Sequence, residues 1–202
     1  MKPDVGPTKN WRTSSLAIKI AIALILTVVS QPVDAVTQSR STDGVMNELV
    51  AQVTEVETKI VALAKAIPES AYDWRPGDGV RSTSEVFRHV AGENYFVGAK
   101  IGGTSPPSDT GITGKAHKEA ISYEERKMAR AQVITSLEQS FAFLKKSMAD
   151  TPVDRLESLT DYSGRKVTTR TAWLYTTTHL HEHLGQLIAY ARSNKVVPPW
   201  SR

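Results

Sequence analysis

"STSEVFRHVAGENYFVGAKIGGTSPPSDTGITGKAHKEAI", Ser82 to Ile121, sets a helix directly against a long polar connection. Ser82 with Glu85 three residues on spells a capping box, a helix-start signature. Val86, Val90 and Val97 then recur on one face, and Gly102-Gly103 closes the segment. From Gly102 to Ile121 the chain is rich in Gly, Pro, Ser and Thr. Connections of about twenty residues are uncommon in a compact domain unless the chain must travel. A crossover of that length lets helices two and three of a bundle run in the same direction.

Three further helical segments flank this stretch. Upstream, from about Thr42 to Ala66, the residues Val45, Leu49, Val53, Val56, Ile60 and Leu63 are spaced by threes and fours. Pro68 stops that helix, and "YDWRPGDGV" (72–80) is a turn-rich connector. Downstream, Ser122 and Glu125 predict a second capping box that opens helix three. Its stripe is Arg130, Ile134, Leu137, Phe141, Leu144 and Met148, and Thr151-Pro152 ends it. Residues 153 to 169 are irregular, and "YSGRKVTT" (162–169) admits either a small hairpin or a turn. A fourth helix spans about Thr171 to Ser193. The expected fold class is all-α, a four-helix bundle with a long crossover between helices 2 and 3.

The N-terminus reads differently. Lys2, Lys9, Arg12 and Lys19 precede the apolar run "IAIALILTVV" (20–29), followed by "SQPVDA" with Val33 and Ala35 placed for signal peptidase. Residues 1–35 are therefore expected to be a signal peptide and 36–202 the folded domain, periplasmic or secreted. The run is about half a membrane span. An uncleaved anchor is the less natural alternative, and no stable span is expected after cleavage. Four of the 25 basic and two of the 21 acidic residues lie in that leader, so the remainder carries a net charge of about +2. No Lys/Arg block interleaved with aromatics follows, so no nucleic-acid partner is expected. The chain has no cysteine, which excludes a disulfide, a thiolate nucleophile, a lipoprotein anchor and a Cys-ligated metal.

Three of the five histidines fall within "HLHEH", 179–183. Successive helical residues are about 100° apart. His179 and His183 therefore share a face, with β-carbons roughly 6 Å apart, while His181 points away. Two imidazoles so placed chelate one ion, and a third ligand is expected from a neighbouring helix. His89, among Val86, Val90 and Val97, is the candidate. Such a facial set leaves the far side of the ion open to water or substrate. His117, in the polar connection, reads as a surface residue. Glu93, one turn after His89, is a candidate base, fourth ligand or outer hydrogen-bond acceptor. Gln186, one turn after His183, is a candidate contact to a bound water or substrate. Gly185 reads as permitting close helix contact. The same letters also spell H-x-x-E-H, the inverted zinc-peptidase pattern. That pattern calls for a downstream carboxylate, and no Asp or Glu follows Glu182.

"YDWRPGDGVRSTSEVFRHVAGENYF" (72–96) followed by "THLHEHLGQLIAYARSNKVVPPWS" (178–201) resembles the DinB-like family. The resemblance extends from about Gly44 to Ser201. It implies an up-down-down-up bundle and a three-histidine centre for zinc or nickel, with His89, His179 and His183 at the ligand positions. Some members of that family act as thiol-dependent S-transferases or isomerases with bacillithiol or mycothiol, which are cytoplasmic cosubstrates, whereas this chain reads as exported. The functional expectation is a metal-dependent hydrolase or thiol/nucleophile transferase acting on a small molecule, with Glu93 and Gln186 assisting. The alternative is a non-catalytic metal- or ligand-binding bundle. A homodimer is the expected assembly, since symmetric pairs are common.

Overall fold

The computed structural model describes residues 33–201, and its long helices follow the apolar periodicity. Helix α1 runs over Val33–Ala66, α2 over Thr83–Val97, α3 over Lys118–Glu124, α4 over Arg130–Ala149 and α5 over Thr169–Ser193. Strands β1 (Leu159–Tyr162) and β2 (Arg165–Thr168) form an antiparallel hairpin between α4 and α5, with Tyr162 opposite Arg165 at the turn. Ser39–Arg202 form one compact unit. The class is all-α. The leader expected over residues 1–35 lies, up to residue 32, outside the described residues. No described helix is long and apolar enough to cross a membrane.

The four long helices meet in one apolar core. Val53, Val56, Ile60 and Leu63 of α1 are buried, as are Val86, Phe87 and Val90 of α2. Leu137, Phe141, Leu144 and Met148 of α4 join Trp173, Leu180 and Leu187 of α5. Each burial removes about 1.5–3 kcal/mol worth of apolar surface from water, which is how a chain without disulfides holds together. On α4 the expected stripe holds from Leu137 to Met148 and departs only at its start, where Val133 is fully buried and Ile134 only partly.

The capping signals divide sharply. At Ser82 the box forms in full, Ser82 Oγ accepting from Glu85 N and Glu85 Oε2 accepting from Ser82 N at 2.6 Å. At Ser122 no helix begins, because that residue lies inside α3. The helix expected there opens at Arg130, where Gln132 Oε1 accepts from Ala129 N at 2.8 Å. Tyr123 explains the difference. Its ring is buried and its hydroxyl bonds Ser136 Oγ at 2.7 Å, so the chain must finish one short helix against the core before starting the next.

The crossover is thus structured, and glycine lets it lie close. A Cβ on Gly92 of α2 would stand 3.1 Å from the Ala120 carbonyl oxygen of α3. Gly114, at φ +77°, would put a Cβ 2.8 Å from Ala99. The first contact presses α3 onto α2 and the second presses the crossover onto the turn that follows α2. Gly185, by contrast, is exposed with nothing within 4 Å, so the close helix contact expected there does not exist.

Candidate metal centre

His89 comes from α2, and His179 and His183 from successive turns of α5. One nitrogen from each ring lies within 4.8 Å of the other two. Nε2 of His179 and Nε2 of His183 are 2.9 Å apart. The ring of His89 is 4.6 Å from that of His183 and 5.5 Å from that of His179. His181 is outside the group: it is exposed, with Nδ1 2.9 Å from the Thr177 carbonyl oxygen.

Hydrogen bonds behind the rings fix two of the three tautomers. Tyr190 donates its hydroxyl to the Arg81 carbonyl oxygen at 3.1 Å, so it accepts from Gln186 Nε2 at 3.0 Å. That turns Gln186 Oε1 toward His183 Nδ1, 2.9 Å away. An amide oxygen only accepts. His183 therefore carries its proton on Nδ1 and presents a lone pair on Nε2. His89 follows the same logic, its Nδ1 lying 3.0 Å from the Glu124 carboxylate. Glu124 also takes Arg81 Nε at 2.6 Å, and its backbone oxygen accepts from Arg88 Nε at 2.7 Å. A continuous path thus runs from His89 through Glu124, Arg81, Tyr190 and Gln186 to His183.

All three rings are held in the uncharged form. Burial, then the charge of His183, pushes His89 down to about 4. Burial, then the neighbouring histidines, pushes His179 down to about 3. His183 is also lowered, chiefly by burial. The contact between His89 and Glu124 is accordingly a hydrogen bond from a neutral ring rather than an ion pair. These features match the donor set of a metal-binding histidine cluster: His89 and His183 turn a lone pair inward, and their outer nitrogens are tied to a carboxylate and an amide.

The cluster opens into a cavity of about 650 Å³. Tyr175, Thr178, His179, Glu182 and His183 line it from a single face of α5. Glu93 lies on its wall, its side chain only 12% exposed and bonded to His117 Nε2 at 2.6 Å. Burial raises the Glu93 carboxyl, and His117 works against that. His117 is exposed, as a surface residue should be, yet it lines the cavity through this bond. Gln186 does not line the cavity and stands behind His183.

A family model described as the DinB superfamily matches residues 52–187. The chain belongs to the DinB superfamily. That superfamily includes metal-binding enzymes, and all three histidines of this DinB chain fall inside the matched span. Among solved structures, it is similar to a DinB-like protein of Bacillus subtilis, at 20% identity and a TM-score of 0.53, over 74% of this chain and 93% of that one. A DinB-like protein of Bacillus cereus gives 10% identity and a TM-score of 0.61, over 75% and 93%. At such identities the likeness shows the fold alone. No curated protein matches the chain.

Sequence reasoning missed Glu124, Arg81, Tyr190 and the reach of His117. Glu124 carried no signal, because it lies 35 residues from His89, inside what read as the opening turn of helix three. Tyr190 is four residues after Gln186, so helical spacing offered a clue to that link.

Proposed function

We propose that this DinB protein is exported and that His89, His179 and His183 hold a divalent ion, zinc or nickel, in the service of a reaction on a small molecule. The reaction class is hydrolysis or transfer to a thiol or another nucleophile. The observation that supports it is the meeting of three uncharged imidazoles on the floor of an open cavity. A bound divalent ion supplies Lewis acidity there, acidifying water or a thiol and polarising a substrate oxygen.

The chain's own residues divide the remaining work. Glu124 and Gln186 orient His89 and His183. Glu93, buried beside His117, holds a proton at the cavity wall between Oε1 and the imidazole Nε2, within reach of an incoming molecule. Gln186, away from that wall, acts by positioning.

Elemental analysis of the purified full chain tests the reading. About one zinc or nickel per chain is expected, lost in His183→Ala while circular dichroism stays helical. Folded wild-type protein that takes up neither zinc, nickel nor manganese would sink it. Azide or a thiol that perturbs the spectrum of cobalt-loaded protein distinguishes an open, reactive site from a closed, storage-type one. Export through residues 1–35 and pairing as a homodimer belong to the same proposal. N-terminal sequencing of the mature protein and light scattering read them directly.

A further inference from the structure

The rim of the same cavity carries a separate chemistry. Besides the three histidines, its charged or titratable wall includes Arg81, Glu93, His117, Arg165 and Glu182. Arg81 is held by Glu124, and Glu93 by His117. Arg165, on β2, makes no ion pair among the described residues. Its guanidinium stands 5.0 Å over the ring of Tyr175. Tyr162, its partner across the hairpin turn, places its ring 5.6 Å from the same Tyr175. Tyr175 is one turn before His179 on α5, so one helical face joins the hairpin lip to the histidine floor.

The lip is built to stay in place. Lys100, in the turn that follows α2, donates to Asp161 Oδ1 at 3.1 Å and pins the hairpin. The two turn residues, Ser163 and Gly164, both have positive φ, 52° and 80°. Asn-Gly is the pair that such a turn ordinarily takes. Serine stands there instead, and it lines the cavity.

We propose that Arg165 is the anion-recognition residue of this cavity. Its substrate is a small molecule with a carboxylate or phosphate at one end and its reacting group directed to the three histidines. The proposal rests on the metal-centre reading above. A guanidinium stacked on a ring is already oriented, and its planar fork matches carboxylate and phosphate oxygens in pairs. The cavity volume is that of a small-molecule site. Glu182, the other wall charge without an ion pair among the described residues, sits on α5 beside His183, on the same helical face as Tyr175; a cavity that answered to it instead would favour a cationic probe.

Cobalt-loaded full chain, followed by its visible spectrum, reads this without any turnover assay. The probes are 3-mercaptopropionate, neutral 3-mercapto-1-propanol and cationic cysteamine. The anionic thiol is expected to bind on the order of tenfold more tightly than the neutral one, as a charge-assisted hydrogen bond implies. Arg165→Gln should erase that preference, leaving cobalt content and the affinity for the neutral thiol unchanged. Arg165→Lys should restore part of it. Competition by propionate or by inorganic phosphate then tells carboxylate from phosphate recognition. Equal affinities in the wild type, a preference that survives Arg165→Gln, or tighter binding of cysteamine would each overturn the proposal. Bound cobalt without anion preference defeats this inference alone. No bound cobalt defeats it together with the metal centre.

Discussion

Glu124 decides how well His89 can serve as a ligand. Its carboxylate accepts from Nδ1 of the ring and from Arg81 Nε at once, so both the ring's orientation and its tautomer are set by one side chain. Glu124→Gln keeps the shape but offers an amide that can turn its NH₂ group to the ring. Zinc affinity should fall about 10–100-fold, the usual cost of losing an outer partner of a metal-bound histidine. Competition with a chromogenic chelator measures it, and unchanged affinity would remove Glu124 from the site. The three histidines were legible because a spacing of four on one helix and an apolar stripe on another fix facing without any tertiary information. Glu124 was not, because nothing local marks which carboxylate on a crossover will meet a ring 35 positions earlier.

At the scale of elements, two junctions hold the frame, and the first of them places the site. The first is α3 against α2 at Gly92, where an added side chain meets the Ala120 carbonyl oxygen. Gly92→Val should cost about 1–3 kcal/mol by overpacking and, by moving α3, should weaken zinc binding as Glu124→Gln does. A urea midpoint beside a zinc titration checks both. The second junction is the C-terminal end of α1. Tyr72 donates its hydroxyl to the Ala64 carbonyl oxygen at 2.7 Å, while Arg130 donates to the Ile67 and Lys65 carbonyl oxygens at 3.2 and 2.6 Å. Burial raises the Tyr72 phenol to about 12, with Arg130 acting the other way. The folded chain thus keeps this proton where the unfolded chain, near 10, has released it. Stability from Tyr72 is complete below pH 10 and drains away toward pH 12. Tyr72→Phe should be about 1 kcal/mol less stable than wild type at pH 8. By pH 11, linkage removes roughly 1.4 kcal/mol from the wild type alone, so the gap should close. A gap that is constant across that range would refute it. Helix ends with strong caps were readable in the sequence, Ser82 above all. The false start at Ser122 shows the limit: the same local signal is overruled once Tyr123 is drawn into the core.

For the molecule as a whole, the histidines join α2 to α5, so metal occupancy would be linked to the stability of the entire fold. Burial first, and then for His89 and His179 the neighbouring histidines, keeps those rings neutral. An ion that binds the folded chain and not the unfolded one adds RT ln(1 + [L]/Kd), about 2.7 kcal/mol at a hundredfold excess over Kd. For a chain of this length each kcal/mol raises Tm by about 2–4 °C. Zinc should therefore raise Tm by roughly 5–11 °C at that excess, and a chelator should reverse it. His183→Ala should start from a lower or similar baseline and respond to neither. The comparison separates a metal centre from a merely structural trio of core histidines, which would leave all melting curves unmoved by zinc and chelator alike. It also needs no knowledge of the substrate, because the coupling runs through the two helices that the imidazoles join.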